Sequence, residues 1–186
     1  MARRPTTGAS IPVPAIHVCP LRLLPATVAT TGARHVITVI NEQAIPPTPE
    51  GVATADHLRI GINDIAEPQD GLVHPGRQHI AEIIAFARRW NRQGPLVVHC
   101  LAGISRSTAA AFIALCDLNP GTPEAAIATA IRAQSATAMP NVLMVALADQ
   151  ALAREGRMIR ALADLGQGTA AMEGIPFALP ADLVSD

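Results

Sequence analysis

Hydrophobic positions change their period from one stretch of the chain to the next. "AIHVCP" (15–20) and "HVITVI" (35–40) are short β-branched runs with "TTGAR" (30–34) punctuating between them, so two strands are expected. "QAIPPTPEGV" (43–52) carries three prolines and a glycine and reads as a surface loop. In "DHLRIGIND" (56–64), apolar side chains at 58, 60 and 62 have the period of two of a third strand. From 77 to 92 the period lengthens: Ile80, Ile83, Ile84, Ala87 and Trp90 fall on one helical face, and Gly94-Pro95 ends the helix. "PLVVHC" is a continuously apolar, buried strand.

Helices dominate afterwards. Ala109, Phe112, Ile113 and Cys116 mark one face of a helix closing at Asn119-Pro120-Gly121. Thr122 is expected as N-cap with Pro123 at the first helical position of a helix to about Ala133, and another runs from Pro140-Asn141 through "VLMVALADQALA". From Arg157 the pattern weakens to a short helix and a tail expected as an arm or partly disordered. Strands alternating with helices, then helices alone, imply an α/β layer fold with a short central sheet.

Length and composition narrow this picture. The 186 residues fit one compact domain, with a core at about 12–155 and a C-terminal extension at 156–186. No apolar run approaches the roughly 18–20 residues of a membrane span. The start "MARRPTTGASIPVPAI" lacks the apolar segment of a secretory signal, so the cytoplasm is the expected compartment. A net charge of −1 gives no general attraction to nucleic acid or to an anionic membrane. Three cysteines, Cys19, Cys100 and Cys116, signal neither a disulfide framework nor a metal site.

The chemistry concentrates in "VVHCLAGISRST". A strand, a tight loop and a helix in direct succession point the backbone N–H groups of Leu101, Ala102, Gly103, Ile104 and Ser105 at a common centre, where the helix N-terminus adds partial positive charge. This makes an anion cradle. Its donors stabilise the thiolate of Cys100, a nucleophile. Arg106 places a planar fork on two oxygens of a bound phosphate. Gly103 permits positive φ or close approach to the ligand. His99 is expected to hydrogen-bond the loop backbone and hold Cys100, and the Ser107 hydroxyl to reach the sulfur and ease its departure.

These residues resemble the His-Cys-x-x-Gly-x-x-Arg-Ser signature of the protein tyrosine phosphatases, matched at His99, Cys100, Gly103, Arg106 and Ser107, and look most like the dual-specificity branch. A phosphomonoester leaving group also needs a general acid. Asp64, in "GINDIAEPQDG", lies just past a predicted strand, where that branch carries its acid, with Glu67 and Asp70 as rivals. The sequence Ile65-Ala66-Glu67-Pro68 resembles a bacterial subgroup. Arg132 followed by Pro140-Asn141 extends the resemblance, which covers about 15–155. It implies a central twisted four- or five-stranded sheet flanked by helices, a phosphate loop between strand and helix, and two-step hydrolysis through a phosphocysteine. No metal or organic cofactor is implied, and phosphate, sulfate or vanadate should bind the loop.

The expected substrate is a phosphorylated protein, phosphotyrosine first, or a small phosphomonoester. Alternatives keep the cradle but take a non-protein substrate such as an RNA triphosphate or a phosphoglycan, reduce arsenate with Cys116 as relay, or bind phosphopeptide without catalysis. The chain has no tyrosine, three Phe and one Trp, and "LAGIS" carries no charge, which disfavour a deep aromatic pocket and a polyanionic inositol lipid. Cys19 and Cys116 read as core fillers, the sharper idea being a partner that protects oxidised Cys100 as a disulfide. His17, His35, His57, His74 and His79 read as structural or exposed, with His74 the one placed to touch substrate. Arg132 reads as a surface residue or a second phosphate ligand, and Gln134 or Asn141 as positioning the hydrolytic water.

Overall fold

β-Branched side chains buried on both faces select the two strands at the centre of the sheet. In this computed structural model, which describes residues 14–183, β2 (His35–Ile40) and β4 (Leu96–Cys100) pair in parallel, Val36 against Val97 and Ile37 against Val98. β1 (Ala15–Pro20) lies parallel to β4, and β3 (His57–Gly61) parallel to β2. β5 (Phe177–Pro180) runs antiparallel on the outer edge of β1, giving the order β3-β2-β4-β1-β5. The expected reading of 1–13, and the start of the expected core at 12, lie outside the described residues.

Strand alternation sorts the two faces. Ile16, Val18, Ile37, Val39 and Val98 project into the larger cluster, built with α2 (Arg77–Arg89), α3 (Arg106–Leu118), α4 (Glu124–Gln134), α5 (Val142–Ala151) and α6 (Arg157–Leu165). On the other face Cys19, Val36 and Val97 pack with Leu24 and Val28 of α1 (Leu24–Thr31). The fold is therefore a mixed five-stranded sheet with helices on both sides, six among the described residues.

Several expectations shift. The helix expected over 77–92 ends at Arg89, because Trp90 turns extended, its indole N–H donates to the Gly94 carbonyl at 3.1 Å, and Arg92 takes φ 56°. α4 starts one residue late: Pro123 is the N-cap with extended ψ of 136°, and the Thr122 hydroxyl donates to the Leu183 carbonyl. α1 was not expected at all. The tail expected as an arm is a structural part instead, since α6 buries Met158 and Ala161, and β5 buries Phe177 and Leu179. An edge strand of β1 would otherwise expose its unpaired backbone, and β5 covers it.

Candidate active site

The loop 101–105, between β4 and α3, is shaped from outside. Leu101 O accepts from Leu21 N at 3.1 Å, Ala102 O from Gly174 N at 2.8 Å, Ile104 O from Met139 N at 2.9 Å and Ser105 O from Ala109 N at 2.9 Å. In a planar trans peptide the N–H points opposite to the C=O, so outward carbonyls turn the following N–H groups inward. Gly103 N accordingly donates to Cys100 Sγ at 3.2 Å. Gly103 has φ 71°, and a Cβ there would lie 2.8 Å from Pro20 N and 3.0 Å from the Cys19 carbonyl carbon. The tight approach that demands glycine is thus to β1.

Cys100 is buried at the end of β4, its Sγ 3.1 Å from Ser107 Oγ in the first turn of α3. Arg106 opens α3, only 5% exposed, and its Nη1 donates to the Ile62 carbonyl at 2.8 Å. Its Nε is buried without a hydrogen-bond partner among the described residues, 3.9 Å from Asp64 Oδ2. Asp64 Oδ1 accepts from Ser105 Oγ at 2.7 Å and from Asn141 Nδ2 at 2.9 Å. The loop after β3 is therefore docked onto the cradle through Asp64, itself exposed, while among the described residues no hydrogen bond joins the rivals Glu67 and Asp70 to it.

His99 has a further partner in the sheet. Its Nε2 lies 2.6 Å from the buried Thr38 hydroxyl, which is also 2.7 Å from His57 Nε2, and His57 Nδ1 lies 3.2 Å from Thr48 Oγ1. The side chain is thus anchored to the centre of the sheet. Burial pulls the His99 pKa down to about 4, against an opposing hydrogen bond with the Cys100 backbone. Burial, then the Arg59 and His99 charges, bring His57 to about 4 as well. Burial also pushes the Cys19 thiol up to about 11, and raises Cys116, so both stand protonated.

Among the described residues no hydrogen bond joins Arg132, His74 or Gln134 to the cradle. Arg132 donates to the carbonyls of Ala138, Leu165, Gly166 and Gln167, which fixes the segment after α6 and uses its guanidinium away from the cradle. His74 is exposed, with Nδ1 2.8 Å from the neighbouring Pro75 carbonyl, and Gln134 is exposed at the end of α4. Sequence reasoning missed Thr38, which holds His99, and Leu21 and Gly174, which bond the loop, all across distances with no local signal. No group of three or more potential metal-ligating side chains occurs among the described residues. No helix there is long and apolar enough to cross a membrane.

The protein-tyrosine phosphatase family profile matches residues 68–140, from the loop after β3 through the cradle to Pro140. No curated protein matches the chain significantly. Among solved structures, DUSP15 superposes with a TM-score of 0.59 at 22% identity, covering 84% of this chain and 94% of that one. The PTP-2 phosphatase of Cydia pomonella gives 0.58 at 16% identity over 74% and 89%. PTPMT1 in complex with PI(5)P gives 0.53 at 20% identity over 74% and 90%. The profile match thus spans the cradle, and the chain shares the fold of these dual-specificity and tyrosine phosphatase structures.

Proposed function

We propose that the protein hydrolyses phosphomonoesters through a phosphocysteine, with Cys100 as nucleophile and Asp64 as proton donor and acceptor. The observation that carries this is the convergence of two loops on one centre. Cys100 Sγ receives Gly103 N–H and faces Ser107, while Asp64 is held against the same loop beside Arg106. The inward N–H groups of Ala102, Gly103, Ser105 and Arg106 and the free Arg106 Nε suit the equatorial oxygens of a phosphoryl group. Cys100 sulfur attacks phosphorus in line, the ester oxygen leaves with the proton of Asp64, and a thiophosphate bond forms. Water then attacks phosphorus, Asp64 carboxylate takes its proton, and the sulfur departs as thiolate toward the Ser107 hydroxyl.

The substrate is a phosphorylated protein or a small phosphomonoester. One observation favours the smaller or non-protein class: Phe86, Trp90, Phe112 and Phe177 are the only Phe, Trp or Tyr side chains, and all lie in the core. None clamps a phosphotyrosine ring. The rim instead exposes Leu101 and Met139. PTPMT1 holds a phosphoinositide in its structure.

Hydrolysis of para-nitrophenyl phosphate without metal, between about pH 5 and about pH 8, tests the mechanism. Cys100→Ser abolishes turnover and phosphoenzyme trapping, and Asp64→Asn removes the basic limb of the rate profile. Turnover surviving in Cys100→Ser overturns the reading, and tight vanadate binding without turnover identifies a binding module. Phosphotyrosyl peptides tested against small and lipid phosphomonoesters then separate the substrate classes.

A further inference from the structure

Asn141 is nearly buried, at 7% exposure, where the segment after α4 turns into α5. Its Oδ1 accepts from Met144 N at 3.0 Å and caps α5. That bond fixes the amide orientation, because the reverse flip would set a carbonyl oxygen against the Asp64 carboxylate and the Ile65 carbonyl. Nδ2 therefore faces outward, donating to Asp64 Oδ1 at 2.9 Å and to Ile65 O at 3.3 Å. The Asn141 backbone N–H also reaches Ser105 O at 3.4 Å, so one residue touches the Asp64 loop, the cradle and a core helix.

From this geometry we infer that Asn141 is a positioning residue for Asp64, a role that rests on the proton-transfer function proposed above. With Oδ1 occupied by Asn141 and Ser105, the carboxyl has one oxygen left for a proton, Oδ2, on the Arg106 side. A carboxyl free to rotate would present either oxygen, or neither, to a leaving group. Because α5 packs against α2, α3 and α6, the amide is carried on the rigid part of the fold. Asn141 thereby sets the acid in place before substrate arrives, instead of orienting the hydrolytic water.

Two substitutions separate the cap from the positioning. Asn141→Ser and Asn141→Asp both keep a good N-cap acceptor for α5, and neither donates an amide to Asp64. Turnover is compared on phenyl phosphate, whose leaving group needs a proton, and on dinitrophenyl phosphate, whose leaving group does not, with Asp64→Asn in parallel. Asp64→Asn should lose about 100-fold or more on phenyl phosphate, and the Asn141 variants about 10-fold, all staying within about 3-fold on dinitrophenyl phosphate. Equal losses on both substrates, or none, in the Asn141 variants while Asp64→Asn keeps the contrast overturn the positioning role alone. Absence of the contrast in Asp64→Asn overturns the acid assignment, and the positioning role with it.

Discussion

Ser105 Oγ donates to Asp64 Oδ1 across 2.7 Å, joining the last residue before α3 to the loop that follows β3. The two residues are remote in sequence, yet their bond closes the cradle on the side where a leaving group would sit. Ser105 is partly exposed, so its hydroxyl contributes little to global stability. Ser105→Ala should lower kcat on a phenolic ester about 3- to 10-fold, in keeping with about 1 kcal/mol for one lost hydrogen bond. KM and the melting temperature should stay close to the parent values. Steady-state kinetics beside thermal melts check this, and an unchanged kcat would mean that Asn141 alone holds Asp64.

Gly103 makes a sharper stability case. Its φ of 71° and the 2.8 Å approach to Pro20 N act together, so Gly103→Ala strains the backbone and pushes the loop off β1. The cost should be about 1–3 kcal/mol. Gly32 provides the control: φ is 68°, but nothing lies within 4 Å of a built Cβ. Gly32→Ala should therefore cost about 1 kcal/mol and leave turnover intact. Urea melts of both variants, read with para-nitrophenyl phosphate turnover, distinguish the two positions, and equal effects would count against the β1 contact.

The Thr38–His57–His99 group gives stability a direction with pH. Both imidazoles have folded pKa values of about 4, below the ordinary 6.5, so the folded state binds fewer protons than the unfolded chain between those values. Their contribution is complete above about pH 6.5 and is lost as pH falls toward about 4, at up to 1.36 kcal/mol per unit for each group. Thr38→Val leaves two buried ring nitrogens without their partner and should cost about 1–3 kcal/mol at neutral pH. Urea denaturation between about pH 4.5 and about pH 7.5 measures both effects. A flat profile would contradict the assignment.

What the sequence made legible follows the range of each interaction. β2, β3 and β4 show in local periodicity, and the cradle shows because its strand, loop and helix are contiguous. α1 escaped because "LPATVATT" buries only Leu24 and Val28 and is rich in residues with low helix propensity. Leu24 and Val28 at i and i+4, with Gly32 as the left-handed cap, were the available signal. β5 has two inward side chains in four residues, and its identity comes from pairing with Ala15–Val18 at the far end of the chain. Asn141 was visible as a cap beside Pro140, whereas its bond to Asp64 exists only after α5 packs.

The segment after α6 offers the last test, because it reaches the cradle directly. Gly174 N satisfies Ala102 O at 2.8 Å, one of the bonds that turn the loop carbonyls outward. A Cβ at Gly174 would lie 3.0 Å from Gly103 O and 3.3 Å from Thr137 Oγ1, so a branched side chain must displace either the segment or the loop. Gly174→Val should weaken binding of phosphate or vanadate about 10-fold, equivalent to about 1.4 kcal/mol. The neighbouring Glu173–Arg22 ion pair is the contrast, since Arg22 is largely exposed and such pairs are worth about 0–1 kcal/mol. Arg22→Ala should leave anion affinity within about 2-fold. Inhibition constants for phosphate and vanadate on the two variants decide the matter: equal affinities would show that the loop holds its shape without Gly174, and weakening confined to Gly174→Val would establish the tail as part of the anion site's support.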